Sequence, residues 1–479
     1  MELTLLPYIF VAVVFTITTP VVQSSFINLY PKYEQLPVPD DPGEPLFLTP
    51  FIENGRIEEG RRLSLVGNLP GDVNITSYAG YLTVNKEFNS NLFFWFFPSE
   101  VDVSKAPVIL WLQGGPGASS LFGLFTENGP FFIEKDNATL KLRDYSWTKS
   151  YSLIYIDNPV GTGYSFTESD HGYATNETTV GKDLYNGIIQ FFQLFPELQR
   201  NDFYLTGESY AGKYVPALAY TIHSNIQTAP FKINLMGLAM GNGYCDPERM
   251  MNPGDYMYQI GLVDEKARLY FKGKEELALK YMRENDWIAA FKVMDETMDS
   301  DLSPYKSYFY NVTGFTFAYN YLHDHEESTF GDLGVFVQSL EFRKAVHVGN
   351  RPFDGGSGIV ERYLMADVMQ SVKPWVEELL DAGYKVLVYN GQLDIAVPYP
   401  LTVEFLRALN WKGSEEYLEA KREKWMVGEF LAGYSKTAGT LTEVLVRNSG
   451  HMVPTDQPKV AFALLEDFLI DQTYKNQVW

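Results

Sequence analysis

Residues 202–214, DFYLTGESYAGKY, pass from an apolar, aromatic run into a segment typical of a helix. Gly207 stands two residues before Ser209, and the small residues Ala211 and Gly212 follow it. Small residues are needed where a strained turn brings a strand and a helix close together. The pattern is typical of a turn that holds a nucleophilic serine at the tip of a sheet and at the positive end of a helix. An ordinary strand-to-helix loop that happens to contain a serine fits the same residues.

The rest of the chain alternates strand-like apolar runs with helical spacing, which indicates a mainly parallel sheet covered on both faces. Residues 79–97 predict two strands joined by a turn, and residues 182–195 have helical spacing. Continuous apolar runs predict further buried strands at 107–113, 152–157, 202–206, 233–240, 384–390 and 442–447.

Residues 244–374 break this alternation, because they are rich in charged, methionine and aromatic residues and have helical stretches. We interpret them as a mostly helical insertion, a cap over the carboxyl edge of the sheet. The predicted fold class is therefore α/β, with the first part of the core and an N-terminal arm at 25–243, the insertion at 244–374 and the second part of the core at 375–479. A hydrophobic content of 46% in 479 residues is sufficient for one such large domain.

An apolar run at 5–22 is followed by polar residues, which predicts a secretory signal peptide at 1–24. A retained membrane anchor is the competing interpretation, since the run is preceded by Glu2 and by no Lys or Arg. Passage through the secretory pathway is also favoured by four N-x-S/T sequons, at Asn74, Asn137, Asn176 and Asn311. The single cysteine, Cys245, permits no intramolecular disulfide, although secreted proteins usually have some.

The formal net charge is −22, so the phosphate backbone of a nucleic acid would be repelled and no such partner is predicted. Self-repulsion of an acidic surface decreases as the pH falls toward the pI, which is about 4.7. The composition is thus compatible with an acidic compartment.

An acyl-transfer serine needs a base and a group that orients this base. In a sheet of this type the order along the chain is serine, acid, histidine, with the acid and the base on loops after strands. The strand at 384–390 leads into Asp394, and the strand at 442–447 leads into His451. Both residues follow Ser209, so the required order is present.

A glycine-rich segment, 113–118, begins where a buried strand ends, and it could direct backbone N–H groups at a developing oxyanion. A phosphate-binding loop is the alternative, but no Gly-Lys-Ser/Thr follows. The G-x-G at 161–163 lacks the rest of a dinucleotide fingerprint, and the histidines at 323 and 325 lack the helical spacing of metal ligands. We therefore predict neither a cofactor nor a metal site.

Five motifs together resemble the serine carboxypeptidase family, whose fold is the α/β-hydrolase fold, and most closely its vitellogenic-like and venom branch. They span most of the chain in the family order: WLQGGPGASS at 111–120, IDNPVGTGYSF at 156–166, GESYAGKYVP at 207–216, YNGQLD at 389–394 and SGHMVP at 449–454. The resemblance implies that Ser209, Asp394 and His451 form the catalytic triad. It also implies that the backbone amides of Gly115 and Tyr210 form the oxyanion hole.

By the same resemblance, the C-terminal carboxylate of a substrate is held by Gln113, Gly114, Glu127 and Glu208. This chain has Gln113 where most members have Asn, so the amide stands one methylene further out. It has Ala118 where most members have Cys. The stabilisation that relatives gain from disulfides must here come from packing.

The expected function is the release of C-terminal residues from peptides or proteins by a soluble, glycosylated enzyme that is secreted or lysosomal. Glu127, Glu208 and a substrate carboxylate would be three carboxylates in one small site, and they cannot all ionise without cost. We therefore expect at least one of the two glutamates to keep a proton and the pH optimum to be acidic. Ester hydrolysis or acyl transfer with the same triad is one alternative, and a catalytically silent scaffold protein is another. No stable membrane anchor is expected, and the oligomeric state is left open.

Overall fold

The computed structural model describes residues 35–36, 41–71, 73–251, 253–299, 305–326 and 331–470. The predicted signal peptide at 1–24 lies outside the described residues. Twelve strands are present in this part of the chain: β1 Tyr78–Asn85, β2 Ser90–Phe97, β3 Val108–Leu112, β4 Phe131–Ile133, β5 Leu140–Leu142, β6 Ser152–Ile156, β7 Phe203–Glu208, β8 Leu235–Gly241, β9 Lys385–Gly391, β10 Glu423–Val427, β11 Phe430–Ala438 and β12 Leu441–Val446.

The helices of the first half are α1 Thr49–Glu53, α2 Ile57–Ser64, α3 Ser120–Gly123, α4 Glu177–Leu194, α5 Ala211–Ser224, α6 Pro247–Met250, α7 Gly254–Gln259, α8 Glu265–Arg283 and α9 Trp287–Met294. Those of the second half are α10 Tyr308–Thr313, α11 Leu333–Val337, α12 Leu340–Ala345, α13 Gly358–Val368, α14 Lys373–Asp381, α15 Tyr399–Arg407, α16 Ser414–Glu419, α17 Val453–Asp456 and α18 Pro458–Leu469. Tighter or wider helical turns cover Leu124–Asn128, Trp147–Lys149, Asp170–Gly172, Pro196–Arg200 and Asp295–Asp299.

Ten of the strands form one sheet in the order β1-β2-β6-β3-β7-β8-β9-β12-β11-β10. The six strands from β6 to β12 in this order are parallel to one another, and the outer strands at both edges pair antiparallel. The prediction of a mainly parallel sheet is confirmed. The parallel strands β7, β8, β9 and β12 are consecutive in the sheet, so their carboxyl ends lie at one edge.

Apolar clusters cover both faces of the sheet. Along β3, Leu110 belongs to one cluster, whereas its neighbours Ile109 and Trp111 belong to the other. Because successive side chains of a strand point to opposite faces, this division shows why the strand is apolar throughout. Cys245 is fully buried in the larger cluster, and burial raises the pKa of its thiol, so it is a packed apolar side chain.

Helices α6 to α13 lie between β8 and β9, where a helical insertion was predicted at 244–374. The boundaries of 244 and 374 stay a prediction. Helix α14 packs against α5, the helix that follows Ser209. In the part of the chain with described coordinates, no helix combines the length and apolarity that crossing a bilayer requires.

Candidate active site

The turn between β7 and α5 holds Ser209 in a left-handed conformation with φ 63°. Hydrogen bonds fix it on both sides: its N–H donates to Gly241 O at 3.0 Å, and its carbonyl accepts from the N–H of Tyr244 at 2.9 Å. The glycine-rich loop comes so close that a Cβ on Gly114 would lie 2.8 Å from Ser209 Cβ. A positive φ costs a residue with a side chain, and such strain is found where function requires it. The turn at Ser209 is therefore strained and closely packed, which is the geometry that its small neighbouring residues predicted.

The structure brings Asp394 and His451 together on the loops after β9 and β12. Asp394 Oδ2 lies 2.7 Å from His451 Nδ1, and both side chains are fully buried. The N–H groups of Ala396 and Val397 donate to Asp394 at 2.8 and 3.2 Å. These donors stabilise the carboxylate, whose bond to Nδ1 leaves the other ring nitrogen of His451 to act as a base.

The ring of His451 is held on a second side by Tyr319 from the predicted insertion. The two rings stack at a centroid distance of 4.4 Å and an interplanar angle of 4°, and the N–H of His451 donates to Tyr319 O at 2.7 Å. His451 Nε2 is buried and makes no hydrogen bond with any described residue. A fixed imidazole with an open Nε2 can accept a proton from a nucleophile at the turn.

Asn242, which follows β8, was not predicted as a site residue from the sequence. Its Nδ2 donates to Asp394 Oδ2 at 2.7 Å, and its Oδ1 accepts from Gly391 N–H at 3.1 Å. Asn242 is fully buried, with φ 43°. The only available signal was its position directly after a buried strand beside the strand of the nucleophile, in a Gly-Asn-Gly segment that reads as an ordinary loop.

The predicted oxyanion residues lie beside the nucleophile. Both Gly115 and Tyr210 line one cleft together with Ser209. Gly115 has φ 110°, which favours glycine, and the neighbouring Gly114 O accepts from Ala118 N–H at 3.0 Å. Among the hydrogen bonds of the described residues, none uses the backbone N–H of Gly115 or of Tyr210. Two such donors at the mouth of a buried turn can stabilise a negative oxygen.

The predicted carboxylate-binding side chains form one buried group. Gln113 Nε2 donates to Glu127 Oε1 and to Glu208 Oε1, at 3.0 Å in each case. Gln113 Oε1 accepts from Trp111 Nε1 at 2.9 Å, and its N–H donates to Ser120 Oγ at 3.1 Å. Through these bonds the side-chain amide of Gln113 contacts both glutamates.

Glu127 lies in the wide helical turn Leu124–Asn128 and is almost completely buried. Burial raises its pKa to about 7, against the lowering effect of hydrogen bonds with Glu208 and Gln113 and of the nearby charges of His451 and Arg143. Glu127 consequently keeps its proton in acidic solution. A protonated carboxyl can donate a hydrogen bond to a substrate carboxylate, as the sequence prediction required.

One cleft is lined both by the turn that holds Ser209 and by residues of the predicted insertion. Its lining includes Ser209, Gly115, Pro116 and Tyr210, together with Ala396 and Val397. None of the predicted carboxylate-binding side chains of Gln113, Glu127 and Glu208 lines it. Its remaining wall is apolar and comes largely from the insertion: Tyr244, Met250, Met251, Pro253, Phe291, Met294, Met298, Ala318 and Val368. The methionine content of this segment was visible in the sequence, but its place in the cleft was not.

The four sequons lie at the surface. Asn74, Asn176 and Asn311 are exposed, and Asn137 is half-buried. Asn176 caps α4 by accepting from Thr179 N–H at 2.9 Å, and Asn137 Oδ1 accepts from Asp332 N–H at 2.7 Å. In both cases the carbonyl oxygen is used, whereas a glycan would be attached at the nitrogen.

No metal site was predicted from the sequence at the histidines at 323 and 325. His325 Nδ1 lies 2.6 Å from Asp324 Oδ1 at an exposed position. Within the described ranges, no three His, Cys, Asp or Glu side chains are grouped closely enough to hold a metal ion.

A family model described as serine carboxypeptidase matches residues 68–471. The chain is 54% identical over 446 residues to the venom serine carboxypeptidase of Apis mellifera, covering 92% of this chain and 95% of that protein. It is 50% identical over 448 residues to the probable serine carboxypeptidase CPVL of Homo sapiens, covering 93% of each. Among solved structures it resembles Kex1(delta)p, a prohormone-processing carboxypeptidase from Saccharomyces cerevisiae, with a TM-score of 0.69, 21% identity and coverage of 88% and 97%. This likeness confirms the predicted α/β-hydrolase fold.

Proposed function

Because the chain belongs to the serine carboxypeptidase family, we propose that it removes the C-terminal residue of peptides through an acyl-enzyme formed on Ser209. The observation that carries this assignment is the buried Asp394–His451 pair, which lies on loops at the same edge of the sheet as the strained turn of Ser209. The chain is a serine-type carboxypeptidase, and the alternatives of acyl transfer and of a silent scaffold are not favoured.

The first half of the reaction forms the acyl-enzyme. Ser209 Oγ attacks the last peptide carbonyl while His451 Nε2 takes the hydroxyl proton, and Asp394 stabilises the resulting imidazolium. The carbonyl oxygen gains negative charge and accepts from the N–H groups of Gly115 and Tyr210. When the C–N bond breaks, His451 returns the proton to the nitrogen of the leaving amino acid.

The second half releases the shortened peptide. Water enters in place of the leaving amino acid, His451 takes one of its protons, and the hydroxide attacks the ester carbonyl. The same two amides stabilise the second oxyanion. Collapse of the intermediate breaks the bond to Ser209 Oγ, which recovers its proton from His451, so the enzyme returns to its starting state.

We assign the chain-end specificity to the group of Gln113, Glu127 and Glu208. An exopeptidase must recognise a terminal carboxylate, so it needs hydrogen-bond donors next to the nucleophile. The buried carboxyl of Glu127, with its pKa of about 7, supplies a donor in acidic solution, and this supports an acidic pH optimum.

One assay tests this function. A blocked dipeptide is offered with a free and with an amidated C-terminus at pH 5, before and after treatment with a serine-directed phosphonate. We expect rapid hydrolysis of the free acid, much slower hydrolysis of the amide, and loss of both after treatment. Equal rates on the acid and the amide would contradict the chain-end assignment, and full activity after labelling would contradict the acyl-enzyme.

We also propose that the enzyme matures in the secretory pathway, carries glycans on at least some of Asn74, Asn137, Asn176 and Asn311, and is secreted or lysosomal. The surface positions of these residues, the apolar N-terminal run and the acidic composition support this placement. Expression in insect cells, N-terminal sequencing of the product and a glycosidase-induced mass shift test it. Retention of Met1 in a membrane pellet would favour an anchor instead.

A further inference from the structure

A buried ion pair joins Lys213, four residues after the proposed nucleophile, to Asp367. Lys213 Nζ is 2.6 Å from Asp367 Oδ2 and also donates to the carbonyl of Asp367. The exposed fraction of the Lys213 side chain is 0% and that of the Asp367 side chain 6%. Lys213 lies on α5 of the core, whereas Asp367 lies near the end of α13, in the predicted insertion.

Such a pair is poorly explained by stability alone. Removing two charges from water costs about as much free energy as their attraction returns, so an apolar replacement of similar volume is often as stable. A buried pair does fix the relative position of the segments that carry it. Burial, and secondly the negative charge of Asp367, raise the pKa of the Glu177 carboxyl at the start of α4.

The carboxylate of Asp367 has two further partners. Tyr210 OH donates to Oδ2 at 3.3 Å, and the backbone N–H of Glu177 donates to Oδ1 at 3.1 Å. Lys213 Nζ also lies 5.1 Å from the centroid of the Tyr210 ring. Tyr210 is buried, and it is the residue whose N–H is assigned to the oxyanion hole.

The start of α13 is hydrogen-bonded to the loop that contains Gly115, the second proposed oxyanion residue. Ser357, which caps the helix, donates its N–H to Gly117 O at 2.9 Å. Two residues earlier, Gly355 O accepts from Ser119 N–H at 3.1 Å. Helix α13 therefore contacts the loop of Gly115 at its start and the side chain of Tyr210 at its end.

From these contacts we propose that α13 sets the relative position of the two oxyanion donors, and that Asp367 is a positioning residue for the backbone amide of Tyr210. The inference rests on the proposed role of Tyr210 in the oxyanion hole. It makes one segment serve two purposes, because Val368 of the same helix also lines the apolar cleft.

The first test replaces the ion pair by apolar residues, Lys213→Met with Asp367→Leu. We expect the thermal midpoint to fall moderately, because both charges are removed together but the N–H of Glu177 and the hydroxyl of Tyr210 lose their acceptor. We expect kcat per titrated active site to fall on the order of tenfold with KM unchanged, because misplacing a donor costs less than the roughly 10²- to 10³-fold lost when one is removed outright. The Ki of a peptide boronic acid, whose adduct places an oxygen in the oxyanion hole, should rise by the same factor.

The second test removes only the hydroxyl that reaches Asp367, by Tyr210→Phe. The matched control is Tyr417→Phe. It removes a buried tyrosine hydroxyl that lies away from the site and donates to Glu443 Oε2 at a distance of 2.5 Å. We expect a several-fold fall of kcat and a matching rise of the boronic acid Ki for Tyr210→Phe only.

Unchanged kcat and boronic acid affinity in both variants, with an active wild type, would overturn the proposal. If the double variant does not fold, the comparison of Tyr210→Phe with Tyr417→Phe still decides. A wild type that neither cleaves the peptide nor reacts with a phosphonate would instead contradict the proposed function itself, so the two failures are distinguishable.

Discussion

The side-chain amide of Asn242 donates to Asp394 Oδ2 at 2.7 Å, the same oxygen that lies 2.7 Å from His451 Nδ1. The other end of this amide accepts from Gly391 N–H at 3.1 Å, so Asn242 holds the acid of the proposed triad against the end of β9. One carboxylate oxygen thus serves two donors, and its direction toward the imidazole is set from the neighbouring strand.

Asn242→Ala removes this donor, and we expect kcat to fall about 10- to 100-fold with KM little changed, because the carboxylate loses its orientation. The measurement is steady-state kinetics on a blocked dipeptide. Asn234→Ala is the matched control, since its amide donates to Asp202 Oδ1 at 2.9 Å at an exposed position. Wild-type kcat in Asn242→Ala would show that the backbone donors alone orient Asp394.

Ser209→Ala should abolish hydrolysis, with a loss on the order of a million-fold in kcat, because no other group can form the acyl-enzyme. Circular dichroism and the thermal midpoint should stay near those of the wild type. Ser224→Ala, at the exposed end of the same helix, is the control and should keep full activity. Peptidase activity of Ser209→Ala comparable to the wild type would refute the assignment of the nucleophile.

The pKa of about 7 for Glu127 predicts how binding depends on pH. Below this pKa the carboxyl is protonated and donates to the substrate carboxylate, whereas above it the group is charged and repels that carboxylate. For free-acid peptides KM should therefore rise as the pH increases through neutrality. Amidated peptides lack the terminal charge, so their KM should change much less.

Glu127→Gln should reduce the rise of KM for free-acid peptides at alkaline pH, because an amide can donate a hydrogen bond at any pH. The control is Glu134→Gln, whose carboxylate lies 2.5 Å from Lys141 Nζ near the surface and should leave the profile unchanged. Profiles of kcat/KM against pH for one peptide in acid and amide forms provide the measurement. If kcat/KM decreased identically at alkaline pH for the two forms of the peptide, Glu127 would not bind the terminal carboxylate.

The apolar cleft predicts a preference at the residue before the scissile bond. Its wall contains Ser209 and both proposed oxyanion residues but none of the proposed carboxylate-binding side chains, so we expect it to hold the acyl side of the substrate. Burying a Phe or Leu side chain in such a cleft is worth about 1.5–3 kcal/mol, which predicts roughly 10- to 100-fold better kcat/KM than for Gly.

Met294→Glu should remove most of this preference by placing a charge in the cleft, while Met426→Glu, at an exposed site, should not. The ratio of kcat/KM for penultimate Phe and Gly in a blocked dipeptide series is the quantity to compare. An unchanged ratio in Met294→Glu would place the penultimate side chain elsewhere.

Buried parallel strands were the most predictable part of the fold. Runs such as 107–113 are apolar throughout because both faces of the sheet are covered, and this composition is unmistakable. Strands β10 and β11 were missed, because an edge strand such as Glu423–Val427 is mostly exposed and carries charge, which makes it resemble a loop.

Short sequence motifs predicted the residues proposed to take part in the reaction, but not the residues that hold them in position. Ser209, Gln113 and His451 stand in segments whose residue order has a chemical meaning by itself. Lys213 and Asp367 are 154 residues apart, and nothing in either segment pairs them. Asn242 poses the same difficulty, since its function depends on a strand that begins more than 140 residues later.

The single buried cysteine has a practical consequence. Cys245 is shielded by the core, with its Sγ 3.8 Å from Met240 Sδ, and there is no other thiol in the chain. Cysteines introduced by mutation at exposed positions of α8 and α15 would therefore be the accessible targets for thiol-reactive dyes. A donor and an acceptor fluorophore could be attached to the native background, and opening or closing of the substrate cleft could be followed in single molecules during turnover.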